Sequence, residues 1–228
     1  MTLNEIVHMV IESVRENLIV DDERIDSRLV QDWINMKRAQ FIKNSRTTNP
    51  NGRINLNLYQ LQALAVEIAD VTDAGDYPFS TSSVQDYQIV QSTTTIPTII
   101  EDKGGPIIYS IESQDLVKLP FSVVDYDHLR VSGNGKFNSG FIFTAIRDNY
   151  VYFKYNEFFE NYSNVNIRAI FEDPRKITGY NIETSRYPAD LGLIEYVKNA
   201  IFDKDIAMIF RSESDDINDA EGEVQQTV

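Results

Sequence analysis

Residues 131–155, VSGNGKFNSGFIFTAIRDNYVYFKY, decide how the chain is read. Phe141, Phe143 and Ala145 alternate with Ile142, Thr144 and Ile146, and after Asp148-Asn149 the run from Tyr150 to Tyr155 is again β-branched and aromatic. Two such runs about a two-residue connection make a hairpin. Asp and Asn tolerate the positive φ that a tight I′-type turn demands, so Asp148-Asn149 supplies the reversal. Gly133-Asn134-Gly135 supplies a second one upstream.

Working outward, residues 87–93, 96–100, 107–112 and 165–171 are short, β-branched or aromatic, and separated by Gly, Pro, Asn and Asp. With the hairpin they predict an antiparallel sheet or small β-barrel. Residues 58–71 fit a helix through Leu58, Leu61, Ala65 and Ile68 and a strand through Leu64, Val66 and Ile68. A helical turn running into a strand reconciles the two.

The chain ends carry the helical period. Leu3, Ile6, Val7, Val10, Val14 and Leu18 form one stripe, and Val30, Trp33, Ile34, Lys37 and Phe41 a second, opened by an acidic cluster that ends in Asp26. Thr48 to Gly52 closes the second helix. Ser122 and Asp125 suit the start of a short helix leading to His128. Pro188 suits the first residue of a last helix with Leu191, Ile194, Val197, Ile201 and Met208. The expectation is an α+β chain whose two ends form a helical part around an inserted β part. Its divisions are 1–75 (helical), 76–185 (β-rich), 186–212 (a C-terminal helix packing with the first part) and 213–228 (an acidic tail).

Composition narrows the function. Among 228 residues, 42% are hydrophobic, which is enough for a packed core, and a net charge of −14 opposes non-specific binding to nucleic acid or an anionic membrane. The chain has no cysteine, so disulfides, zinc-thiolate sites and thiol nucleophiles are excluded. A start carrying Glu5 and Glu12 lacks the pattern of a signal peptide, and no apolar run approaches the ~20 residues needed to cross a bilayer. A cytoplasmic site of synthesis is expected, with no membrane contact.

Chemistry-bearing motifs are sparse. Asp125, Asp127 and His128 are the best candidate for a metal-dependent hydrolase, but further ligands are missing and His128 reads more simply as a hydrogen-bonded surface residue. His8 has no partner in sequence. Gly133 to Lys136 lacks the rest of a phosphate loop, and the sequon at Asn161 has meaning only with secretion. The sequence therefore assigns no catalytic residue, metal or cofactor.

Two charge features remain. Lys37, Arg38, Lys43, Arg46 and Arg53 lie between residues 31 and 53 against one acid, Asp32. They either complement a helix C-terminus or form a docking patch for an acidic neighbour. From Glu213 to Glu223 there are six acids and no base, a composition that stays disordered until a partner orders it. Ile209, Phe210 and Ile217 offer apolar anchors for that docking.

The order of segments carries a resemblance. Leu3-Asn4-Glu5-Ile6, Lys37-Arg38-Ala39-Gln40-Phe41-Ile42, Gln60-Leu61, Ile96-Pro97, Pro120-Phe121 and Gly133-Asn134-Gly135-Lys136-Phe137-Asn138 come first. Asp148-Asn149-Tyr150-Val151-Tyr152, Ile170-Phe171-Glu172-Asp173-Pro174, Tyr187-Pro188 and Asp215-Asp216-Ile217-Asn218-Asp219-Ala220 follow. Over nearly its whole length the chain resembles the head-to-tail connector proteins, tail adaptors or rings, of podovirus-type phages, crAss-like phages in particular. The segment from Ser45 to Arg53 is longer and more polar than that pattern. The resemblance implies a virion component without catalytic residues. It would form a homo-oligomeric ring beneath the portal, twelve-fold if matched to it, touching portal and tail proteins while DNA passes unbound. A monomeric host-directed adaptor is the other non-enzymatic reading.

Overall fold

Asp148 and Asn149 take the left-handed backbone that an I′ turn requires, with φ of 52° and 62°. The strands on either side, β7 (Phe143–Arg147) and β8 (Tyr150–Lys154), pair antiparallel from Thr144↔Phe153 to Arg147↔Tyr150. The hairpin is as the sequence predicts. The computed structural model describes residues 1–17, 25–49, 55–70, 88–113, 121–129, 132, 141–154 and 164–206. They fall into two units, Met1–Asn57 with Asn181–Val228, and Leu58–Tyr180.

The second unit is a sheet. Its strands are β1 (Gln60–Asp70), β2 (Gln88–Ser92), β5 (Ile108–Ser113), β6 (Ser122–Val123), β7, β8 and β9 (Asn164–Ala169), in the spatial order β5-β9-β1-β2-β8-β7-β6. Phe121 donates its N–H to the Ile111 carbonyl at 2.7 Å, which brings the last strand back to the first. The result is a nearly closed barrel. Its interior is filled by alternate residues of each strand, among them Leu64, Val151, Phe153, Val165 and Ile167, all buried.

Two expectations change in detail, and a third holds. β6 and β7 run parallel, a departure from an all-antiparallel sheet. The connection between them carries a short helix, α3 (Tyr126–Leu129), and a parallel pair needs such a crossover. The segment 96–100 is not a strand of the sheet. It lies against neighbours through Ile96 N–H to Asn149, an Ile99↔Phe171 bridge and Ile100 N–H to Ile170, while Pro97 has no N–H to continue a ladder. Residues 58–71 resolve as a 3-10 turn, Leu56–Leu58, followed by β1. A small separate hairpin of β3 (Glu101–Asp102) and β4 (Gly105–Pro106) completes the unit, turning through Gly105 at φ 106°.

The first unit draws on both ends of the chain. Helix α1 (Leu3–Asn17) opens with a reciprocal capping box: Thr2 N–H donates to Glu5 Oε2 at 2.9 Å, and Glu5 N–H donates to Thr2 Oγ1 at 3.2 Å. Helix α2 (Ser27–Thr48) is capped by Asp26, whose carboxylate accepts from Arg28 N–H, as its acidic approach predicts. Helix α4 (Leu191–Ala200) starts three residues after Pro188, because Asp190 is the residue whose carboxylate reaches the Leu193 N–H at 2.8 Å. It runs on into a π-helical turn, Ile201–Ile206. A Thr2↔Arg186 bridge and the bond from Tyr187 N–H to the Met1 carbonyl tie the two ends together. Leu3, Ile6, Val7, Val10, Val30, Ile34, Leu193, Val197 and Ile201 are buried.

Candidate functional site

The candidate metal residues sit at the end of β6 and on α3. Leu129 on α3 packs against Ala145 with Tyr126 beside them, while Asp125, Asp127 and His128 are exposed. His128 Nδ1 lies 3.5 Å from the Asp125 carboxylate, with side chains 71% and 86% exposed. Asp127 is exposed as well. Among the described residues no group of three or more His, Asp and Glu side chains is gathered as a metal site. The Asp125, Asp127 and His128 hydrolase thus gains no convergent geometry. His8 lies exposed on α1.

These residues border a groove. A space of about 720 Å³ is lined by Gly104, Pro106 and Ile108 from the β3–β4 hairpin and β5, and by Val123, Val124, Asp125, Tyr126, His128, Ser132 and Ile146. Ile108 and Ile146 also pack on the barrel core, whereas Val124 and Tyr126 belong to the cluster under α3. The groove therefore lies along the seam where β5 and β6 meet, lined by apolar and polar groups in similar measure.

Beside it stands an aromatic and cationic cluster. The Arg147 guanidinium lies 4.7 Å over the Tyr126 ring, Tyr126 and Tyr152 are 5.3 Å apart edge to face, and Arg147 Nε is 3.4 Å from Asp148. Burial pushes the Tyr126 hydroxyl up to about 12, with the Tyr152 charge adding to it and Arg147 opposing. Tyr126 is thus a neutral hydrogen-bonding group at any physiological pH.

The basic residues of α2 divide. Lys37 and Arg38 are buried, 8% and 0% exposed. Lys37 Nζ pairs with Asp205 at 2.9 Å. Arg38 donates Nε–H to the Pro188 carbonyl at 2.9 Å and stacks 5.7 Å from the Tyr187 ring, while the Tyr187 hydroxyl donates to Asn35 Oδ1 at 2.9 Å. These two cations join α2 to the segment around Pro188 and to the π-helical turn. The apolar stripe contained that signal, since positions 37 and 38 share the face of Val30, Ile34 and Phe41. Lys43 is exposed and Arg46 partly so. Ile209, Phe210, Ile217 and the acidic run lie outside the described residues, as do Arg53 and the Gly133 to Lys136 turn.

The phage tail ring protein 2 family model matches residues 5–226. The chain belongs to this family, a tail ring family of crAss-like phages. No curated protein matches the chain. Tail ring proteins are structural parts of a virion, and a ring implies assembly with other tail components. A structural family points away from catalysis. Within this tail ring protein no helix among the described residues is long and apolar enough to cross a membrane.

Proposed function

We propose that many copies of this chain form one ring of the head-to-tail connector below the portal, joining capsid to tail and surrounding the path of the DNA. The match to a tail ring family over residues 5–226 carries this reading. The role is structural and non-enzymatic, with assembly in the host cytoplasm before incorporation into the virion. A ring of chains each carrying −14 repels a polyanion, so DNA slides through with little adhesion. Twelve copies match a twelve-fold portal. Residues 213–228, with Ile209, Phe210 and Ile217, order against a neighbouring connector protein, and the ring's many copies compensate for the entropy of that ordering.

Imaging purified protein with and without portal tests the ring. Rings seated on the portal are expected. Finding the chain absent from purified virions, or scattered away from the portal vertex, would overturn the reading. Truncation after Arg211 is expected to leave folding intact and weaken incorporation into particles.

A further inference from the structure

At the end of its described residues the chain runs beside α2, and two contacts set its direction there. Tyr196 of α4 meets Phe41 of α2 with ring centroids 4.7 Å apart, and nine residues later Asp205 reaches Lys37 at 2.9 Å, one turn nearer the start of α2. α4 and its π-helical turn therefore run antiparallel to α2. At Ile206, which is buried, the chain is heading for the N-terminal half of α2 with residues 207–228 still to come.

That half of α2 carries an apolar strip. Leu29 and Met36 are 38% and 51% exposed, and Trp33 between them is half-buried. Spacings of four and three put all three on one face of the helix. Trp33 lies one turn before Lys37, so the strip begins where the Lys37 and Asp205 pair stands. Large apolar side chains left side by side on a helix face mark a surface that something covers.

The sequence beyond Ile206 has the matching register. Ile209 and Phe210 follow it at three and four residues, the spacing of one helix face, and Ile209 is as far past Asp205 as Trp33 is before Lys37. In an antiparallel pair those two positions stand at one level. We propose that in the free chain residues 207–210 run on along α2 and seat Ile209 and Phe210 against Trp33, between Met36 and Leu29. Direction, reach and apolar spacing carry this choice, and no charge pairing enters it. The seat belongs to the single chain and does not depend on the ring. A neighbouring protein that orders Ile209 and Phe210, as proposed above, competes with α2 for them.

Trp33 is the only tryptophan of the chain, so its fluorescence reports the strip directly. In dilute full-length protein its emission is expected to be blue-shifted and weakly quenched by acrylamide. Truncation after Arg211 keeps both anchors and is expected to change neither. Truncation after Ala207 is expected to shift the emission to the red and raise quenching several-fold, with helical circular dichroism retained. Ile209→Ser with Phe210→Ser in the full chain is expected to do the same, and it decides the matter if the shorter chain fails to fold. Quenching left unchanged by the loss of both anchors would overturn the seat and assign the cover to the segment between α1 and α2. Protection that appears only as protein concentration rises would overturn it in favour of a second copy. None of these measurements needs a ring, so failure here leaves the ring reading standing.

Discussion

The helical unit and the sheet unit hold themselves together by different means. In the helical unit large polar side chains lie inside, with Arg38, Lys37, Asn35 and Tyr187 bonded to carbonyl, carboxylate and amide groups across α2, the segment around Pro188 and the π-helical turn. The sheet unit is filled mainly by hydrocarbon, and its buried polar side chains are uncharged, among them Ser92, Thr144, Asn166 and Gln62, which holds the Thr178 N–H and hydroxyl. A buried polar network fixes one geometry because few alternatives satisfy every partner, whereas an apolar core tolerates local opening such as a seam.

Deleting hydrocarbon from the sheet unit is expected to have the largest effect. Phe153 is fully buried and meets Phe121 edge to face at 5.7 Å. Phe153→Ala removes that ring and leaves a cavity, at a cost of about 3–5 kcal/mol. Denaturant unfolding measures it. A loss below about 1 kcal/mol would mean that the barrel interior is not close-packed.

In the helical unit the charge pair gives the contrasting result. Lys37→Met leaves the largely buried Asp205 carboxylate without its cation and is expected to cost about 1–3 kcal/mol. Adding Asp205→Leu restores much of the loss, because a hydrophobic pair of similar volume removes the desolvation penalty on both sides. A double variant as unstable as the sum of the singles would break the contrast between the units. The same burial revises an expectation of the basic patch: Lys37→Glu with Arg38→Glu destabilises the helical unit itself, so its failure to assemble would report folding rather than docking.

The hairpin turn tests a smaller effect on the sheet unit's margin. Asn149 has φ 62°, where a β-branched residue is strained by about 1–2 kcal/mol and glycine is not. Asn149→Val is expected to lower stability by that amount, and Asn149→Gly to leave it equal or raise it. Thermal unfolding of the two variants decides whether the turn is under selection for its backbone.

Much of this was legible in the sequence. Period-two alternation and Asp148-Asn149 marked the hairpin because strand faces and turn chemistry are local properties, and Asp26 marked the start of α2 for the same reason. The parallel placement of β6 and the seam bond from Phe121 to Ile111 were not legible, since they depend on which distant strand lies alongside. Pro188 suggested a helix start by its fixed φ, yet the cap went to Asp190, whose side chain reaches an orphan N–H. Lys37 and Arg38 looked like surface charge by composition alone. Only the partners at Asp205 and Pro188, more than a hundred residues away, explain why the stripe that contained them faces inward.

The smallest expected effect depends on pH and belongs to the sheet unit. Asp173 caps the 3-10 turn Pro174–Lys176: its Oδ1 accepts from Arg175 N–H at 3.0 Å and Nε–H at 2.9 Å, and its Oδ2 accepts from Nη2 at 2.9 Å. Partial burial by itself raises a carboxyl pKa, but the side-chain and backbone hydrogen bonds from Arg175 and its charge outweigh this, and Asp173 is held below the usual carboxylate range. The folded value is thus lower than the unfolded one of about 3.9. The corresponding stabilisation is complete above the unfolded value and fades as pH falls through the folded one. The pair is local and partly solvated, so the contribution is within about 1 kcal/mol. Comparing parent and Asp173→Asn by urea unfolding at pH 7 and pH 3 isolates it. The parent is expected to be the more stable at pH 7, with the gap narrowing at pH 3. A gap that stays constant across that range would mean that the cap acts through its neutral hydrogen bonds alone, and the charge on Asp173 would then contribute nothing to the sheet unit.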